Sequence, residues 1–344
     1  MSARKKVLII RFSSIGDIVL TTPIVRCLKQ QLGAEIHYLV KESYASALHP
    51  NPYIDRLITI KKDVDEVLPT LREIKYDWIA DLHHNLRSFN VKQALRRPGA
   101  SFPKLNIEKW LMTNFKINRL PDVHIVDRYF ETVKTLGVIN DGRGLDFFIA
   151  ADTRIDVQQI SNNKLPPGSY VAMAIGAGHA TKNLEDAQWL SLIKSLSMPV
   201  ALLGGPTDAA RGSWLASQSN NCFNFAGLIS LPQSASVIEQ SALLITPDTG
   251  LMHIAAALHK PVISVWGNTI PEFGMTPYYP HDLQIKNQEF EIKNLPCRPC
   301  SKIGYAKCPK GHFRCIRDID LKEIAIVATQ IFESSRPRRD LFPR

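Results

Sequence analysis

The chain has 344 residues, more than one hydrophobic core ordinarily organises, so two domains of common size are expected. It is 45% hydrophobic and 22% charged, a globular composition, and no apolar run approaches the ~20 residues of a membrane span. A formal net charge of +10 favours an anionic partner, but the excess is scattered apart from local runs at 92–97 and 336–344, and no basic stripe is interleaved with aromatics, so nucleic acid is set aside in favour of an acidic membrane surface or a phosphorylated substrate.

The first apolar run, Val7-Leu-Ile-Ile10, is cut off by Arg11 too early for a signal peptide and reads as a strand of a cytoplasmic protein. A helix over 17–31 and a strand over 35–40 follow. Next come a strand at 57–60, a helix at 64–74, a strand at 78–81 and a helix from about Asn85. This alternation predicts a parallel sheet covered on both faces. The stretch 152–169, with Ser-Asn-Asn-Lys-Leu-Pro-Pro-Gly at its centre, breaks the pattern and reads as a linker. The alternation then restarts, with strands at 170–175, 200–203, 242–246 and 262–265 and helices at 187–196, from Asp208 and after Gly250. A last helix near 321–333 leads into a basic tail. The expected fold is α/β, two doubly wound domains over 1–160 and 168–325, with 326–344 set apart as a C-terminal tail. Such a pair places a ligand cleft between the carboxyl ends of the two sheets.

Four strand-end loops carry the candidate chemistry. In Pro247-Asp-Thr-Gly-Leu-Met-His253, Asp248 and Thr249 are natural N-caps and Gly250 lets a ligand approach the backbone. Unpaired N–H groups and the positive dipole end at this turn suit a phosphate or pyrophosphate, and His253 returns to the same face one turn in. An ordinary capped helix is the plainer alternative. After the first strand, Arg11-Phe-Ser-Ser-Ile-Gly-Asp17 offers Ser13 and Ser14 as donors to an anion, and Asp17 as either an N-cap or a general base. The loop lacks a Walker lysine and is not Gly-x-Gly-x-x-Gly, so neither nucleotide fingerprint applies. The second domain opens with Gly176-Ala-Gly-His-Ala-Thr-Lys182, where glycines expose backbone and Lys182 supplies a point charge. In Gly204-Gly-Pro-Thr-Asp208 the acid could accept from ribose hydroxyls.

Ser14-Ile-Gly-Asp17, the 176–182 and 204–208 loops and the Asp-Thr-Gly-x-x-His pattern from Asp248 together resemble glycosyltransferase family 9, the ADP-heptose:lipopolysaccharide heptosyltransferases, over nearly the whole chain. The resemblance implies a GT-B fold, two Rossmann-like domains facing a central cleft. It implies an inverting transfer of heptose from ADP-heptose to the lipid A-linked inner core of lipopolysaccharide, by an enzyme peripheral to the inner membrane. It assigns Asp17 as the base, Lys182 to the diphosphate, Asp208 to the nucleotide ribose, Asp248 to the sugar, and Thr249, Gly250 and His253 to the diphosphate. Where the family has Arg-Trp-Pro after the lysine, this chain has Asn183-Leu-Glu185. The anionic acceptor would be met by Ser13, Ser14, Lys61, Lys62 and Arg87, although lysines and arginines are ordinarily solvated surface charges. A nucleotide-sugar epimerase, or a catalytically degenerate glycolipid-binding homologue, would use the same loops.

Cys297, Cys300, Cys308 and Cys315 have a spacing that suits a structural zinc site, with His312 as a spare ligand and reduced structural thiols as the alternative. Cys27 and Cys222 read as buried small hydrophobes. Asp63-Val-Asp65 and Asp318-Ile-Asp320 resemble a metal clamp but adjoin helices, where such acids cap. No cofactor is expected for catalysis, because Lys182, His253 and a helix terminus can stabilise a leaving diphosphate without a divalent ion.

Overall fold

The computed structural model describes residues 4–335, so the basic run at 336–344 lies outside the described residues. The chain forms two compact units. One runs to Ala150 and takes in Pro271–Gln284, and the other comprises Ala151–Ile270 and the chain from Ile285 onward. The segment Pro271–Gln284 thus joins the first unit although it falls within 168–325 by sequence.

In the first unit β1 (Lys6–Ile10), β2 (Glu35–Lys41), β3 (Arg56–Ile60), β4 (Trp78–Asp81) and β5 (Gly99–Ser101) form one parallel sheet in the order β3-β2-β1-β4-β5. Val7, Leu8, Ile9 and Ile10 are all fully buried, as befits a central strand covered on both faces. The second unit repeats the plan with β6 (Val171–Ala174), β7 (Val200–Leu203), β8 (Cys222–Asn224), β9 (Leu243–Pro247), β10 (Val262–Trp266) and β11 (Asn287–Glu291), ordered β11-β10-β9-β6-β7-β8 and parallel throughout. In both units the chain winds outward from its first strand in one direction and then in the other. That is the Rossmann order, whose crevice opens where the winding reverses, between β1 and β4 and between β6 and β9.

Three local differences from expectation have simple causes. The helix expected at 17–31 is two helices, Ile15–Val19 and Thr22–Leu32, because Pro23 lacks the N–H to continue one and is accommodated in the first turn of the next. The 152–169 stretch carries a short helix, Val157–Ile160, capped by Asp156, and is clipped to the second unit where Gln240 Nε2 donates to the Ile155 carbonyl at 2.8 Å. Residues 326–335 are not a tail. They continue the helix Leu321–Ser335, whose Ile324, Ala328, Ile331 and Phe332 enter the second unit's core. Among the described residues no helix is long and apolar enough to cross a membrane.

Candidate active site

In the first unit the reversal point is occupied by the loops that follow β1 and β4. Ser14 takes the N-cap position of Ile15–Val19, so Asp17 is the third helical residue rather than the cap. Its carboxylate Oδ2 accepts from the Ser14 hydroxyl at 2.8 Å and the Ser14 N–H at 3.2 Å, while Oδ1 meets the Arg11 guanidinium at 2.6 Å. Burial alone would push this carboxyl up. The Arg11 charge and the Ser14 donors outweigh it and hold Asp17 below the usual carboxylate range, hence ionised. Arg11 itself is buried, donating Nε to the Ser13 carbonyl at 2.8 Å and Nη1 to the Leu82 carbonyl, which ties the β1 loop to the β4 loop.

The β4 loop is set by Asp81, fully buried at the strand end. It accepts from the N–H groups of His83 at 3.1 Å and His84 at 2.7 Å, from the Ser88 and Ser101 hydroxyls, and from Lys92. His83 then lies edge-on to Phe12 with ring centroids 5.0 Å apart. Burial and the charges of Arg11 and Lys104 push its imidazole down to about 4, leaving it neutral at pH 7. Arg11, Asp81 and His83 escaped the sequence reading. The available signal was a charged residue closing an apolar strand, which a core tolerates only when it is paired.

Of the expected acceptor-side residues, Ser13 and Ser14 are part of this cluster, and Arg87 stands exposed in the first turn of Leu86–Leu95, beyond β4. Lys61 and Lys62 are not brought there. They follow β3, the edge strand separated from β1 by β2, so roughly 10 Å of sheet intervenes. Their N–H groups donate to the Glu66 carboxylate at 2.9 and 2.7 Å, and Asp63 caps the following turn by accepting from Val64 at 2.6 Å.

In the second unit the reversal point joins the loops after β6 and β9. Lys182 Nζ lies 2.6 Å from Asp248 Oδ2, which also accepts from the Thr269 hydroxyl at 3.0 Å. Thr269 comes from the loop after β10 and was not foreseen. That loop approaches so closely that a Cβ on Gly267 would sit 2.4 Å from the Thr181 carbonyl. Thr249 is the N-cap of Gly250–Ala257, but its hydroxyl pairs with Thr246 at 2.9 Å instead of capping. The first N–H groups of this helix therefore receive no side-chain cap from Thr249 and remain suited to an anion. His253 is buried one turn in. Asp208 accepts from the Gly205 N–H at 2.9 Å and fills the space that Gly176 leaves, where a Cβ would stand 2.1 Å from its Oδ2.

Asn183-Leu-Glu185 has structural duties. Asn183 donates to the Ile175 carbonyl at 2.7 Å and accepts from the Trp189 indole at 3.2 Å, Leu184 is buried, and Glu185 pairs bidentately with Arg317 at 2.9 Å. The cysteine segment is a strap over the Lys182 loop. The Arg298 guanidinium donates to the Gly267 and Thr269 carbonyls at 2.6 and 2.7 Å and to Glu291 at 2.6 Å, while the Thr181 hydroxyl donates to the Tyr305 carbonyl at 3.1 Å and accepts from the Tyr305 N–H at 2.8 Å. Among the described residues no three His, Cys, Asp or Glu side chains form a set that could hold a metal ion, so the expected zinc ligand set is not assembled. Cys315 packs into the core, where burial and then the neighbouring Cys300, Cys308 and Cys297 push its thiol up to about 12, while Cys297 Sγ lies 3.6 Å from His312 Nε2.

A family model described as Glycosyltransferase family 9 (heptosyltransferase) matches residues 66–303. Lipopolysaccharide heptosyltransferase 1 of Pseudomonas aeruginosa is 24% identical over 326 residues, covering 86% of each chain. Among solved structures, a family 9 glycosyl transferase from Veillonella parvula superposes with a TM-score of 0.76 at 21% identity, covering 97% of this chain and 99% of that one. The ADP-heptose lps heptosyltransferase II of E. coli gives a TM-score of 0.69 at 20% identity, covering 96% and 99%. These likenesses agree with the two parallel-sheet units in showing a GT-B fold. With the matched model spanning more than half of its length, the chain belongs to glycosyltransferase family 9, the heptosyltransferases.

Proposed function

We propose that this heptosyltransferase uses ADP-heptose as donor and a lipid A-linked, anionic inner-core sugar at the cytoplasmic membrane surface as acceptor, and that it transfers with inversion. The observation that carries the reading is the state of Asp17, a carboxylate kept ionised by Arg11 and Ser14 at the reversal point of its sheet. Asp17 accepts the proton of the acceptor hydroxyl as that oxygen attacks the anomeric carbon from the face opposite the diphosphate. The bond from the anomeric carbon to the diphosphate oxygen breaks, and ADP leaves with the bonding pair.

The developing charge on ADP is met by the Lys182 ammonium and the N–H groups at Gly250, so no divalent ion enters the scheme. Lys182 and Asp248 neutralise one another until a diphosphate takes up the ammonium, and Asp248 is then released to accept from sugar hydroxyls. Asp208 receives the ribose. Purified chain given ADP-heptose and the acceptor should release ADP, and Asp17→Asn should slow release by about 10²–10⁴-fold while leaving ADP-heptose binding intact. Undiminished turnover in that variant would remove Asp17 from the chemistry.

A further inference from the structure

The first unit carries a surface that neither its core nor the site above employs. The helix Asn106–Phe115 is ten residues long and buries none of them. Five are apolar, and Ile107, Trp110, Leu111 and Phe115 recur at the spacing of a single helical stripe. Ile107 is 71% exposed, Trp110 54% and Phe115 59%, and the two aromatic rings meet edge-on with centroids 5.1 Å apart. Ile117 continues the apolar surface just past the helix at 47% exposure. Lys109 faces the unit, its ammonium 5.7 Å from the Phe273 ring centroid. The helix therefore rests on the unit without burying its stripe, and contiguous exposed apolar surface of this kind marks a docking site.

Charge decides what docks. From Asn85 to Leu120 the sequence holds eight Lys or Arg residues, at 87, 92, 96, 97, 104, 109, 116 and 119, against the single acid Glu108. Lys92 is engaged with Asp81, and Lys104 with the His83 and His84 carbonyls. Arg87, Arg96, Arg97, Lys116 and Arg119 are all exposed. A second copy of the chain would set this positive field against itself, whereas a negatively charged surface complements it.

We propose that this face docks on an anionic lipid bilayer, the Ile107–Trp110–Phe115 stripe entering the boundary between headgroups and acyl chains and the basic residues meeting lipid phosphates. The proposal deepens the reading of a lipid-linked acceptor and rests on it for its purpose. The helix follows β5, which pairs with β4 in the sheet that presents Asp17, so docking would bring that sheet's site to the membrane.

The test is co-sedimentation of the full chain with vesicles of phosphatidylcholine alone or with about one-third phosphatidylglycerol. Wild type should bind the anionic vesicles at least about tenfold more tightly than the neutral ones, and lose that preference at high salt. The Ile107→Ser/Trp110→Ser/Phe115→Ser variant and the Lys116→Glu/Arg119→Glu variant should each weaken binding by about tenfold or more. Both should keep the wild-type melting temperature and the wild-type rate on a deacylated, water-soluble acceptor. Equal binding to both vesicle types, variants that bind like wild type, or a wild-type dimer that the triple variant dissolves would overturn the proposal. ADP release from the soluble acceptor without vesicle binding would defeat docking alone. Vesicle binding without ADP release would uphold docking and defeat the transfer reading alone.

Discussion

Asp17 shows how a buried acid is kept ionised. Burial favours its neutral form, and the Arg11 guanidinium with the two Ser14 donors reverses that preference. Because its folded value is depressed, the ion pair contributes stability above about pH 3.9, the ordinary Asp value, and that contribution is lost as pH falls through the folded value. In the proposed mechanism the same sign applies to rate, since a base works in its ionised form. The acid limb of kcat/KM for ADP release should therefore lie below the usual carboxylate range. In Arg11→Gln burial is left with less opposition, and the limb should move upward. A pH profile of the two proteins checks this, and a limb that stays in place would separate Arg11 from the tuning of Asp17. The position of Asp17 after a strand marks it in the sequence, where capping is its alternative role. The cap is Ser14, and what distinguishes the two residues is a contact with Arg11 that no local pattern reveals.

At the scale of loops and strands, what was legible followed the strength of the apolar signal. All eight expected strands are present within a residue or two, because runs such as Val7–Ile10 and Leu243–Ile245 are buried on both faces and leave no polar alternation to confuse them. Three strands were missed. β5 and β8 have three residues each, and β11, Asn-Gln-Glu-Phe-Glu, is a polar edge strand only partly buried. Loop positions were legible, but loop contents were not. By sequence Gly176 offers a ligand access to the backbone, and in the structure it also makes room for Asp208 from the neighbouring loop. Gly176→Ala should force that carboxylate aside and break its bond to the Gly205 N–H. A bond to a charged group is worth about 1.5–3 kcal/mol, so the KM for ADP-heptose should rise by about tenfold or more with kcat little changed. Steady-state kinetics at saturating acceptor measure it. An unchanged KM would detach Asp208 from the ribose.

The two units have separate cores, and their stabilities should separate with them. In the first unit Arg26, 1% exposed, joins the Thr22–Leu32 helix to the 141–146 segment. It donates to Asp141 at 2.9 and 2.8 Å, to the Gly144 carbonyl at 2.9 Å, and to Asp146. Arg26→Met would strand two part-buried carboxylates at a cost of about 3–5 kcal/mol. Calorimetry should show the first unit's transition shifted down and the second unit's in place. A common shift of both would mean that the units unfold as one. The two-domain plan itself was legible from the repeated alternation of strands and helices. The return of Pro271–Gln284 to the first unit was not, because no compositional change marks it. One consequence of the cysteine strap concerns synthesis. Thr181 receives its partner Tyr305 from 124 residues downstream, and the Arg298 bonds that fasten the β10 loop are made as late. A chain emerging from the ribosome can lay down β6 through β10 before either arrives. The lysine loop is thus set after the strands that carry it, and it takes its final shape only once residues 298–305 have been made.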